Sequence, residues 1–165
     1  MRTCLHVVAI LLLGGVSFLP VVTEANLSYE FNIWGSRNPH RGAQELELIV
    51  GTTNGAQTIP PEQIVKAAQH WNPELKVTII ETVVFKDIHE AWKTSQLDVG
   101  TVVVFDQYLL TNGKFIGATA NNFIWVSTYY CPWKVLNHEF GHLLVSSNET
   151  YIDEHQSQSC EGKDI

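Results

Sequence analysis

The segment His138-Glu139-Phe140-Gly141-His142 sets two imidazoles four residues apart, with a carboxylate directly after the first. On an α-helix such residues lie one turn above each other on the same side, so both rings can reach one ion. Imidazole nitrogens at about 2.0–2.1 Å suit zinc. Glu139 is offset round the helix and can contact water at an open coordination position. Zinc lowers the pKa of such a water towards ~7, and a carboxylate can then take its proton during attack on a carbonyl. The spacing therefore points to hydrolysis, with His138 and His142 as ligands, Zn2+ as cofactor and Glu139 as general base. The bland alternative is two surface histidines beside a chance glutamate.

A catalytic zinc takes three protein ligands and one water. After His142 the candidates are Asn148, Glu149, Asp153, Glu154, His155 and Glu161. Asn148 is a neutral amide and a weak zinc ligand. His155 is favoured by chemistry and reach. In an exported chain Cys131 and Cys160 most simply form one disulfide, and the tail then doubles back along the helix. The helix from Cys131 to Val145 rises roughly 20 Å at about 1.5 Å per residue. An extended tail covers about 3.3–3.6 Å per residue, so the return is easy. His155 falls near the level of the histidine pair, with Asp153 and Glu154 as close alternatives. Tyr129, Tyr130 and Tyr151 could offer a hydroxyl to an oxyanion, or could simply pack or lie at the surface.

These groups need elements to hold them. Leu136, Phe140, Leu143 and Leu144 share one side of the motif helix and the histidines another, so one face can enter a core while the other meets a cleft. Pro132 suits the first turn of that helix. Upstream, residues 28–34 alternate through Phe31 and Ile33 and read as a strand, and residues 45–52 read as a second strand or a short helix. Residues 61–71 change to a helical period, opened by Pro61 and stopped by Asn72-Pro73. Residues 76–85 are strand-like, and residues 87–95 form a short helix capped by Asp87. The unbroken apolar run in residues 100–106 suits a central strand covered on both faces. Residues 113–119 and 122–128 read as two short strands. The fold class expected is α+β, a mixed sheet with helices packed on it.

Length and composition set the limits. The chain has 165 residues, 45% of them apolar, and a formal charge of −7, which fits one globular domain. That charge, without a basic run, argues against nucleic acid as a partner. Arg2 followed by the apolar run Val7–Val16 and a small residue at Ala25 has the layout of a signal peptide. The division expected is a signal at 1–25 and a catalytic-type domain at 26–165, secreted, monomeric and without stable membrane association after cleavage. Cys4 leaves with the signal. Asn26 and Asn148 each begin an N-glycosylation acceptor pattern.

With these motifs in hand, the chain resembles the zincin metallopeptidases, and among them the matrixin-like metzincins. Residues 63–73 look like their first long helix, and 98–106 like their central strand. Residues 113–127 look like their antiparallel edge strand and the strand after it, and 135–144 like their active-site helix. The resemblance implies a twisted sheet above a cleft, a peptide or protein substrate pairing along the edge strand, zinc on His138 and His142, and Glu139 as base. The chain departs from the family where Val145 replaces a glycine and Asn148 a third histidine. It also has no methionine after Met1. Glu161 follows His142 at a spacing similar to aminopeptidase-type gluzincins, but the tail lacks the length for the second helix those proteins use. Two functions are expected from this pattern: a secreted zinc endopeptidase, or a zincin-fold binding or structural protein without catalysis.

Overall fold

The computed structural model describes residues 40–107 and 116–160. The signal-like segment, the strand expected at 28–34, Asn26 and Glu161 lie outside the described residues. Among the described residues five strands form one mixed sheet: β1 (Glu45–Thr52), β2 (Lys76–Val84), β3 (Thr101–Asp106), β4 (Gly117–Ala120) and β5 (Phe123–Ser127). Their spatial order is β2-β1-β3-β5-β4. β1 runs parallel to β2 and β3, and β3 parallel to β5, while β4 is antiparallel to β5. Four helices among the described residues accompany the sheet: α1 (Pro61–Gln69), α2 (Ile88–Ser95), α3 (Pro132–Leu144) and α4 (Glu149–His155). The α+β class expected from the sequence is the one observed. Among the described residues no helix is long and apolar enough to cross a membrane.

Local chemistry accounts for most element boundaries. Pro61 and Pro132 occupy the first turns of α1 and α3, where a missing N–H costs nothing. The Asp87 side chain accepts from the Glu90 N–H and caps α2. The segment at 45–52 is a strand, because its alternating residues Leu46, Leu48 and Val50 are all buried on one face. β3 is buried along its whole length, as its unbroken apolar run required. β4 and β5 form a hairpin in which Ala120 pairs with Phe123, and Asn121 takes the left-handed turn conformation at φ 51°.

The sheet has a core on each face. On one, Leu48, Val103, Phe105, Ile124 and Val126 pack with α1 and α3, including Leu136, Phe140 and Leu143. On the other, Ile49, Val102, Val104 and Trp125 pack with Ile88 and Ala91 of α2. The apolar face read for the motif helix is thus the face that enters the core. β4 is an edge strand among the described residues, and it lies alongside α3.

The tail departs from expectation. The tail is expected to double back along α3 after residue 148, and the structure makes that return partly as a helix that the sequence reading did not include. The Asn148 side chain accepts from the Tyr151 N–H and starts α4. The Val145 main chain leaves α3 at φ −124°, so this exit does not use the positive φ that would call for glycine. Cys131 and Cys160 lie at disulfide distance with Cα atoms 5.4 Å apart, tying the start of α3 to the chain beyond α4.

Candidate metal centre

His138 and His142 occupy one side of α3, as residues four apart must. Their Nε2 atoms are 3.0 Å from each other and their ring centroids 4.7 Å apart. Glu149, in the first turn of α4, completes a triangle: Oε1 is 3.1 Å from His138 Nε2, and Oε2 is 3.2 Å from His142 Nε2. One ligand atom from each of the three residues lies within 4.8 Å of the other two. The imidazoles are largely buried, whereas the Glu149 side chain is mostly exposed.

The opposite ring nitrogens are also engaged. His138 Nδ1 is 3.4 Å from Asp153 Oδ1, and His142 Nδ1 is 3.1 Å from the Ser146 carbonyl oxygen. A ring that directs Nδ1–H at such an oxygen would turn its Nε2 lone pair inward. This is how the outer partners of metal-binding histidines fix the tautomer. Two inward lone pairs and a carboxylate would repel one another, and a divalent cation reverses the sign of that interaction. The donor set, two imidazoles and one carboxylate, fits zinc with a coordination position left for water.

α4 is brought to this place by close packing. Ile152 is fully buried. A Cβ built on Gly141 would come within 2.8 Å of Ile152 Cδ1 and 2.6 Å of Trp71 Cζ2, so only glycine admits this approach. Trp71 Nε1–H donates to the Asn137 carbonyl at 2.6 Å. The buried Asn137 amide donates to the Ala67 carbonyl and accepts from the Ser157 N–H at 2.8 Å. α1, α3 and the tail therefore share one polar joint beneath the site.

Glu139 points from α3 towards the edge strand and is 5% exposed. Thr119 of β4 donates its hydroxyl proton to Oε2 at 2.6 Å. Burial pushes the Glu139 carboxyl above the usual carboxylate range, against the lowering effect of His138, His142 and the Thr119 hydrogen bond. A carboxyl so placed can hold a proton more readily than an exposed glutamate.

The candidates named from sequence separate clearly. His138, His142 and Glu139 are brought to one region. His155 is not placed with them: its ring stacks on Tyr151 at 4.1 Å, and its Nδ1 lies 2.8 Å from the Tyr151 carbonyl oxygen. The reason is helical phase. Residues 149 and 153 are four apart and face α3 together, whereas residue 155 is about 240° round from 149 at about 100° per residue. Asp153 is present, beside His138 Nδ1 rather than Nε2. Asn148 serves as a helix cap, and Glu154 is exposed. Tyr129 and Tyr130 are exposed and contact each other edge to face, and Tyr151 stacks on His155. The Cys131–Cys160 proximity agrees with the pairing expected.

Sequence reasoning ranked Glu149 below His155 and did not single out Thr119. An Asn followed directly by Glu is a helix-start signal, and reading it at Asn148-Glu149 would have put Glu149 and Asp153 on one face. Nothing local announces Thr119, whose contact spans twenty residues of sequence. No known protein-family model matches this chain, and no curated protein matches it.

Proposed function

We propose that this chain is a secreted zinc-dependent endopeptidase of zincin type. In this reading His138, His142 and Glu149 hold the metal and Glu139 is the general base. The carrying observation is the convergence of two Nε2 atoms and the Glu149 carboxylate, with both Nδ1 atoms held from outside. When bound, zinc supplies a Lewis acid for the scissile carbonyl and lowers the pKa of a coordinated water. Glu139 would accept a proton from the attacking water and pass it to the leaving amine.

The surroundings support the same reading. An antiparallel edge strand, β4, lies beside the motif helix, and an extended peptide can pair with such an edge through its backbone. That mode tolerates varied side chains and suits a protein or peptide substrate. The apolar run near the N-terminus and the close Cys131–Cys160 pair support secretion.

A second reading, a zincin-fold binding or structural protein without turnover, draws on Glu139 itself, whose carboxyl is buried and already engaged by Thr119. One experiment separates the two. Metal content and hydrolysis of an unstructured protein substrate are measured for the full chain and for Glu139→Gln. The enzyme reading expects about one zinc per chain in both, with turnover in the parent and at least a hundredfold loss in the variant. No turnover in either chain selects the second reading, and a chain that also retains no zinc rejects the first outright.

A further inference from the structure

We propose that Thr119 is the positioning residue for Glu139, and that the β4 edge strand is the seat that aims the general base. This rests on the reading of Glu139 given above. Strand β4 presents Gly117 and Thr119, two residues apart, to the same side, and that side faces α3. Thr119 Oγ1 lies 2.6 Å from Glu139 Oε2 and 3.1 Å from the Glu139 main-chain oxygen. A hydroxyl has one proton to give. The shorter contact, to a carboxylate oxygen, is the charge-assisted one and takes it. The hydroxyl thereby fixes the side chain to the strand at the residue's own level on the helix.

Gly117 makes the other wall. A Cβ there would overlap Glu139 Oε1 and come within 3.0 Å of Glu139 Cδ and 2.6 Å of Val135 Cγ1. The carboxylate therefore has a hydroxyl holding one oxygen and a bare backbone against the other. A glutamate on a helix surface samples several rotamers. One held in this way keeps a single orientation, which is what a base acting across a few ångströms needs. The register of β4 sets this seat: Gly117 pairs with Val126 and Thr119 with Ile124, both core residues packed on the α3 side of the sheet.

The test uses the full-length chain with Thr119→Val, Thr119→Ser and Thr119→Ala. Zinc content, kcat and KM are measured on one peptide substrate. Loss of the hydroxyl is expected to lower kcat roughly 10- to 100-fold, with KM and zinc content unchanged. Thr119→Ser keeps the hydroxyl and restores most of the rate, a rescue that a packing role for the methyl group would not produce. Thr119→Ala reports the same loss should the valine variant not fold. A valine or alanine variant with the parent's kcat overturns this inference and leaves the zinc-peptidase reading standing. A serine variant as slow as valine also overturns it. A parent chain that holds zinc but hydrolyses nothing overturns both.

Discussion

Gly141 and Ile152 meet across the α3–α4 contact, and their closeness decides where Glu149 stands. The space a side chain would need at residue 141 is taken by Ile152 and by the Trp71 ring. The indole is rigid and is hydrogen-bonded to the Asn137 carbonyl, so it cannot yield. Gly141→Ala is therefore expected to push α4 outward. A fall in stability of about 1–3 kcal/mol is expected from the overpacking. Zinc affinity should fall as well, although residue 141 offers no ligand atom. Thermal unfolding of the metal-free protein and competition against a chromophoric chelator measure the two effects separately. Unchanged zinc affinity in a folded variant would show that the placement of α4 does not govern the site.

The ligand assignment is tested by contrast. Glu149→Gln replaces a charged donor by a neutral amide of the same shape. It should weaken zinc binding by two orders of magnitude or more, since an effect of 10- to 100-fold is already typical for outer partners. Asp153→Asn alters the carboxylate that meets His138 at Nδ1 and accepts from the Gln156 amide, and should cost about 10- to 100-fold. His155→Ala should leave zinc affinity at the parent value, because that ring stacks on Tyr151. Strong zinc loss in the His155 variant would reverse the assignment.

The Cys131–Cys160 pair closes a loop with a sequence separation of 29 residues that contains the whole of α3 and α4. In the chain-entropy picture, a crosslink of that span contributes about 3–4 kcal/mol. Replacing both cysteines by serine should lower the melting temperature. It should also weaken zinc binding, because the tail that carries Glu149 loses its far anchor. On the proposed reading, adding saturating zinc should recover part of the lost stability, since a ligand that binds only the folded arrangement stabilises it.

Glu139 gives the pH dependence a definite sign. Burial raises its carboxyl pKa in the folded chain above the ordinary value it has when unfolded. The native state thus binds this proton more tightly than the unfolded state does. The contribution is fully present below the unfolded pKa and is lost as pH rises through the folded one. In metal-free protein, Glu139→Gln removes the loss. The variant is expected to be more stable than the parent at neutral pH, with the difference shrinking to little once the pH is below the usual carboxylate range. Denaturant midpoints measured across that span check the trend. A parent as stable as the glutamine variant at neutral pH would contradict it.

The elements legible in the sequence are those whose cause is local. Pro61, Asp87 and Pro132 mark helix starts that the structure keeps, because a fixed φ or a side-chain cap acts within one turn. The strand at 101–106 is central because its four apolar residues, 102 to 105, bury alternately in the cores on the two faces of the sheet. The surroundings of His155 have an equally local cause, since the cap at Asn148 starts a helix in the tail and that ring stacks on Tyr151 one turn back.

The sequence by itself determined that two imidazoles share one side of a helix whose opposite side is apolar, because a spacing of four and a period near 3.6 leave no other arrangement. It also supplied every donor atom of the site. Tertiary structure alone decided which acidic group joins them and which hydroxyl meets Glu139. Glu149 reaches the pair only because Ile152 seats against a glycine. Thr119 meets Glu139 only because a hairpin brings the sheet edge against α3. Contacts of that kind depend on how faces fit in space, and a residue's sequence neighbours carry no record of the fit.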